Sequence, residues 1–247
     1  MEKVAIDINC DVGEGVGNEE KILPLVSSCS IACGGHAGDL KTMAQVAKIA
    51  KQHKVKVGAH PSYPDRENFG RVSLSMPKEQ LIDSLQKQMA EFVSILTEEQ
   101  ISLYHIKAHG ALYNDITVDR DLARTFLEAI EPYKKDSFLY VPFNSAIEGE
   151  ALVSGFQIKY EAFGDRNYTD EGLLMSRKKE NAVIQEPQAV LEHIARMVHE
   201  REAKLPSGKR IRMLADTYCI HGDTPSALEI LTYISAHQIM YNLHIKK

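Results

Sequence analysis

Six short stretches of this sequence end in residues that an ordinary buried strand does not need. They are Asp7-x-Asn9-x-Asp11, Gly35-His36, Ala59-His60-Pro61, Lys107-Ala108-His109-Gly110, Asp165-Arg166 and His221-Gly222-Asp223. Each closes an apolar run. An unpaired carboxylate facing a core is costly, so Asp7 and Asp11 need partners or a ligand, and Asn9 and Lys107 share that requirement. A charged lysine in such a place calls for a carboxylate or an anionic ligand. Carboxylates, neutral imidazoles and a lysine serve two chemistries. They can hold a divalent metal that polarises a carbonyl and activates water, with Asp7, Asp11, His36 and His60 as candidate ligands. They can equally run metal-free acid–base hydrolysis, in which Asp or His takes a proton from water and Lys or His stabilises the oxyanion. No HExxH spacing decides between the two. The absence of a GxSxG elbow argues against a serine hydrolase.

These residues converge only if the elements that carry them are parallel and share an end. Val4–Cys10 alternates, with Asp7, Asn9 and Asp11 on one side and Val4, Ile6 and Ile8 on the other, as in a strand. Further strands are expected at Ser28–Cys33, Val55–Ala59, Ser102–Ala108, Phe138–Pro142, Phe156–Phe163 and Arg212–Ile220, with a terminal strand at Ile239–His244. Between them the 3.6-residue period predicts helices over Leu40–His53, Lys78–Leu96, Asp119 to about Tyr133, Ser145–Val153, Pro187–Arg201 and Pro225–His237. A short helix is expected over Glu20–Val26, limited by Pro24. The polar segment Asn167–Glu186 reads as a loop or small excursion, and Lys204–Arg210 as a turn-rich linker. Strand and helix alternate over the whole chain without an obvious domain linker, which implies one α/β domain over residues 1–247. Seven or eight such units in this length fit a barrel, whose strand C-termini all open on one face.

Other features narrow the function. The loop after the first strand, GEGVGNEEK, is glycine-rich, yet it fits neither GxxxxGK[ST] nor GxGxxG. A net charge of −5 without a basic stripe argues against nucleic acid as a partner. No apolar run is long enough to span a membrane, and the N-terminus lacks the form of a signal peptide, so the expected location is the cytoplasm. Cys10, Cys29, Cys33 and Cys219 form no paired CxxC knuckles and are expected as free thiols, buried as small hydrophobes rather than nucleophilic. His53, His193, His199 and His237 fall on helices, away from the strand ends. Asp39 and Asp223 have helix capping as an alternative to a site role.

With these residues in view, the sequence resembles the LamB/YcsF family, the A subunits of prokaryotic 5-oxoprolinase. The resemblance rests on IDINCDVGEG (6–15), IACGGHAGD (31–39), GAHPSYPDRENFGR (58–71), HIKAHGALYN (105–114), FGDRNY (163–168) and CIHGD (219–223). It implies an irregular seven-stranded TIM-like (β/α) barrel similar to the glycoside hydrolase/deacetylase folds. It implies ATP-dependent opening of 5-oxo-L-proline to L-glutamate together with partner subunits B and C, which handle lactam phosphorylation. ATP use by the partners accords with the missing P-loop; a divalent metal stays open. The matched motifs place Asp7, Asn9, Asp11, His36, His60, Lys107, His109, Asp165, Arg166, His221 and Asp223 in the pocket without assigning roles. On chemical grounds Asp7, Asp11, Lys107, His109 and His221 are expected to be catalytic. Asn9, His36, His60, Arg71, Asp165, Arg166 and Asp223 are expected to bind substrate. Where the family commonly has an aromatic residue, this chain has Gly35, which is expected to remove a pocket wall. Two alternative readings are a stand-alone metal-dependent amide hydrolase or deacetylase, and a non-catalytic small-molecule-binding subunit.

Overall fold

The computed structural model describes residues 3–247. Its strands are β1 (Val4–Val12), β2 (Ser28–Ala32), β3 (Lys56–His60), β4 (Leu103–Ile106), β5 (Phe138–Pro142), β6 (Gln157–Phe163), β7 (Glu202–Lys204), β8 (Arg210–Arg212), β9 (Thr217–His221) and β10 (Leu243–Ile245). Its helices are α1 (Glu19–Ile22), α2 (Leu40–Gln52), α3 (Lys78–Glu98), α4 (Gly110–Val118), α5 (Arg120–Ile130), α6 (Ala146–Val153), α7 (Pro187–Glu200) and α8 (Ala227–His237). Strands β1 to β6 and β9 pair in parallel in that order, and β1 pairs with β9, so seven strands close a barrel. Strand β10 takes the same edge of β1 as β2, one step lower. Lys246 donates its N–H to Ile6 O at 2.8 Å, and Ser27 donates to Ile8 O at 2.8 Å.

The closed sheet has two environments. Outward residues of β1, Ile6, Ile8, Cys10 and Val12, are buried beneath the helices. The helices cover them with apolar stripes such as Leu81, Leu85, Met89, Phe92 and Leu96 on α3. Inward residues are polar to an unusual degree: Asp7, Asn9, Asp11, Ser28, Ser30, His105, Lys107, Glu161 and Thr217 are all buried. Hydrophobic burial therefore holds the shell together, and hydrogen bonds must satisfy the interior.

The element boundaries depart from the sequence reading in four places, one of them at the C-terminal end, where Gln238–Tyr241 is a 3-10 turn and the strand expected at Ile239–His244 covers only Leu243–Ile245. The expected helix from Asp119 to Tyr133 is preceded by a second helix, α4, and Asp119 joins the two. Its side chain accepts from Asp121 and Leu122 N–H and so caps α5. The expected linker Lys204–Arg210 is the turn of an antiparallel hairpin, β7 with β8. The barrel strand expected from Arg212 starts only at Thr217. Asp39 serves as the α2 cap, accepting from Thr42 N–H at 2.7 Å, and lies on the surface. Among the described residues no helix is long and apolar enough to cross a membrane.

Candidate functional site

The polar residues of β1 point into the barrel at successive heights, and their surroundings differ. Asp7 lies at the lower end, paired in register with the first residue of β9. Its carboxylate accepts from Ser28 Oγ and Thr217 Oγ1, both at 2.8 Å, and from Lys56 Nζ at 3.3 Å. Four residues of strand put it roughly 13 Å from Asp11. The expectation of a catalytic or metal-ligating Asp7 conflicts with this placement. The residue is a satisfied structural carboxylate at the closed end of the barrel, outside the cavity described below. One layer up, Asn9 donates to Glu161 Oε1 at 3.0 Å and Thr217 Oγ1 at 2.8 Å, linking the two ends. His105 is also inward, stacked on Tyr140 and bonded to Ser30 Oγ.

At the top of the same strand Asp11 meets Lys107, which the end of β4 delivers. The ammonium lies 2.9 Å from Asp11 Oδ1, 2.8 Å from Glu161 Oε1 and 3.2 Å from Cys219 Sγ. Burial alone would raise the Asp11 carboxyl, but His60 and Lys107 overcome it and hold Asp11 well below the usual carboxylate range. Burial alone would likewise lower Lys107, yet Asp11, Cys219 and Glu161 keep it well above an ordinary lysine. The lysine is thus a fixed positive charge in a water-poor site.

His36, His60 and His109 gather beside Asp11. The His36 and His109 rings stack at 3.5 Å, and His60 meets both edge-on. Glu14 lies among them, 3.1 Å from His36 Nε2 and 3.3 Å from His109 Nδ1. Burial is the largest cause of every shift here. It pushes the Glu14 carboxyl well up, with Asp11 and Asp223 adding to it. It pushes His36 down to about 2 and His109 well down, with neighbouring imidazoles adding. The loop after β3 covers the cluster. Phe69, with a left-handed φ of 55°, turns its carbonyl toward His109 Nε2 at 3.0 Å. Gly70 lets the loop sit this close, since a Cβ there would lie 2.9 Å from His36 Cβ.

On the opposite wall His221 is held by Asp165, whose oxygens lie 3.0 and 3.1 Å from His221 Nδ1. A carboxylate so placed accepts, so Nδ1 carries a hydrogen and Nε2 is the ring nitrogen left for other partners. Burial opposes the charge on Asp165, but His221 outweighs it and lowers that carboxyl. Asp165 therefore holds the His221 ring and backbone in place. Gly222 closes the turn after β9 against β1; a Cβ there would collide with the Asp11 carbonyl.

A cavity of about 460 Å³ opens above these groups, bordered by Asp11, His60, Lys107, His109, Glu161 and His221. Its outer wall comes from the excursion after β6, residues 172–178, together with Arg71 and Arg166. Arg71 pairs with Asp223 across the mouth, and Arg177 approaches the same carboxylate at 3.7 Å. Arg166 borders the cavity, but its donors go to the Ala182 and Met175 carbonyls and hold the excursion in place. Burial brings Arg166 down to about 10. Gly35 opens no extra space, because the buried Gln88 amide and Ser62 hydroxyl fill the room a side chain would take.

Three contributors went unassigned in the sequence. Glu161 belongs to the β6 run QIKYEAF, where a carboxylate of the same parity as Phe163 was the available signal. Its Oε2 is buried without a partner, as is the Tyr113 hydroxyl from α4, and both residues line the cavity. Glu14 was visible as a polar residue after β1, but its histidine partners come from other strands. The four cysteines are all buried and free. Burial raises their thiols, Cys33 to about 12 and Cys10 and Cys219 well above the ordinary value, so none is poised as a thiolate.

Two groups of metal-ligating atoms lie within 4.8 Å of one another, Asp11 with Cys219 and His221, and Glu14 with His36 and His109. The first already contains the Lys107 ammonium. Among the expected metal ligands, His36 and His60 fall in or beside the second.

Comparison with known proteins agrees with this architecture. The crystal structure of a lactam utilization protein from Thermus thermophilus superposes with a TM-score of 0.91 and 31% identity, covering 98% of this chain and 99% of that one. The A subunit of a 5-oxoprolinase from Pyrococcus horikoshii is 35% identical over 93% of this chain and 92% of its own length. Its counterpart from Bordetella pertussis is 38% identical over 91% of each. The profile of the LamB/YcsF family matches residues 6–246, and the chain belongs to that family.

Proposed function

We propose that this chain is the A subunit of a 5-oxoprolinase, opening the lactam of 5-oxo-L-proline to L-glutamate in an ATP-dependent reaction shared with subunits B and C. The observation that carries the reading is Lys107, an ammonium locked between Asp11 and Glu161 on the floor of a cavity that His221 also lines. The relatives named as 5-oxoprolinase A subunits support the substrate class. The cationic mouth, with Arg71, Arg177 and Lys178, suits an anionic cyclic amide activated elsewhere by phosphorylation.

The lactam carbonyl carbon is the point of attack. His221 Nε2, backed by Asp165, takes a proton from water as its oxygen bonds to that carbon. Lys107 balances the negative charge of the phosphorylated carbonyl oxygen. His221 then returns the proton to the ring nitrogen as the C–N bond breaks, which leaves the free amine and an acyl phosphate; a second water hydrolyses that anhydride, releasing inorganic phosphate and the carboxylate of glutamate. Asp11, held strongly anionic, orients Lys107 and the water rather than acting as the base. Arg71 holds the substrate carboxylate, exchanging its pairing with Asp223. His109 Nε2 is committed to the Phe69 carbonyl, and its Nδ1 faces His60 and Glu14 on the side of the histidine cluster. It serves the site's structure in this reading instead of shuttling protons.

Coexpression with the neighbouring B and C subunits tests the proposal. The reconstituted protein should release glutamate from 5-oxoproline only with ATP and only with this chain present. Release that is unchanged when this chain carries His221→Asn together with Lys107→Ala would refute it.

A further inference from the structure

The wall of the cavity holds a group that the reaction above leaves unused. His60 Nδ1 lies 2.9 Å from Lys107 O, and His109 Nε2 lies 3.0 Å from Phe69 O. A carbonyl only accepts, so those two nitrogens carry the ring hydrogens. The remaining nitrogens, His60 Nε2 and His109 Nδ1, face each other at 3.0 Å. Glu14 Oε1 is 3.3 Å from the same His109 nitrogen and 3.9 Å from the same His60 nitrogen. Atoms of this kind at these separations are held together by a proton or by a metal ion among them.

We infer that His60, His109 and Glu14 form a binding site for a divalent transition-metal ion of the zinc class, with His36 as the donor that holds Glu14 in place. Metal–ligand bonds of about 2.0–2.2 Å in tetrahedral geometry separate neighbouring ligand atoms by about 3.3 Å, close to the spacings here. Imidazoles whose second nitrogen donates to a backbone carbonyl have the tautomer and orientation that ligation requires. The donor set, two nitrogens and one oxygen without thiolate, suits zinc or its first-row neighbours over magnesium or calcium, which take oxygen. His36 Nε2, 3.1 Å from Glu14 Oε1, fixes the carboxylate. The position borders the cavity beside Asp11, whose Oδ2 is 3.4 Å from His60 Nε2.

Titration of the isolated, chelator-stripped chain with zinc chloride, followed by calorimetry and elemental analysis, tests this. One zinc per chain is expected, with no comparable response to magnesium. His60→Asn and His109→Gln should each weaken zinc binding by at least about 100-fold, and His36→Ala by about 10- to 100-fold. His53→Ala, half-buried at the C-terminal end of α2, should bind as the parent does. If the ligand variants fail to fold, ring signals in the parent's histidine NMR spectrum decide: zinc should shift those of His60 and His109 and leave His193 unmoved. No zinc uptake by the parent overturns the site, as does uptake that survives the double variant or shifts only other histidines. The titration needs neither substrate nor partner subunits, so its failure leaves the proposed reaction standing, and failure of the reaction leaves the site standing.

Discussion

Asp7 and Asp11 leave the same strand on the same side, four residues apart, and reach opposite ends of the barrel. At the lower end Asp7 has two hydroxyls and a lysine around it. At the upper end Asp11 shares Lys107 with Glu161, while Glu161 Oε2 and the Tyr113 hydroxyl stay without partners on the cavity wall. The polarity of an inward residue thus does not mark a site. A polar network that closes on itself holds the barrel together, whereas one left incomplete at an open mouth is available to a ligand.

Substitutions at the two ends should separate these roles. Asp11→Asn removes the charge that fixes Lys107 and should cut glutamate release in the reconstituted complex by at least about 10³-fold with little loss of fold, measured as kcat beside a thermal melt. Near-normal turnover would break the comparison at its upper end. Asp165→Asn keeps the shape of the wall but turns a donor toward His221. It should lower kcat by about 10²- to 10⁴-fold and move the limb of the pH–rate profile that reports the base. A drop without any change of profile would point to a structural effect alone. Arg71→Ala should raise KM for 5-oxoproline by about 10-fold while changing kcat little, because its contact holds the substrate in the ground state as well.

The lower end predicts the reverse pattern. Asp7→Asn should leave turnover within a few-fold of the parent and cost about 1–3 kcal/mol in chemical denaturation, since two buried hydroxyls lose a charged acceptor. A large rate loss without destabilisation would place Asp7 in the chemistry after all. Acid offers the mildest test. His193 packs behind the mouth on α7, and burial, helped by Arg196, lowers it from 6.5 to about 4. The unfolded chain then binds a proton that the folded chain refuses between those values. Stability should fall as pH drops through this window, by an amount of order 3 kcal/mol at its acid end. His193→Gln should flatten that part of the stability curve, read from denaturation midpoints.

Much of this was legible in the residues. The alternation of β1, the apolar runs that end in His36, His60, His109 and His221, and the capping option at Asp39 report local rules that hold whatever surrounds them. The hairpin of β7 with β8 was not legible, because EAK and RIR are short and polar and become strands only by pairing with each other. Helix α4 was missed because it begins at Gly110 in a left-handed conformation, directly after the site motif.

The sequence alone determined that a parallel barrel forms and that its strand ends are polar, since periodicity and burial of apolar side chains act along the chain. The tertiary structure decided which of those polar groups have work left to do. Asp7 and Asp11 are equivalent by type and parity, and only the height of their neighbours on β2, β3 and β9 distinguishes them. Arg166 and Asp165 resemble ligand-binding residues until the partners of their hydrogen bonds are known. Glu14 and Glu161 gain their roles from histidines and a lysine that lie far away in the chain. Charge and hydrogen-bond satisfaction are properties of distance in space, which no spacing along the chain specifies.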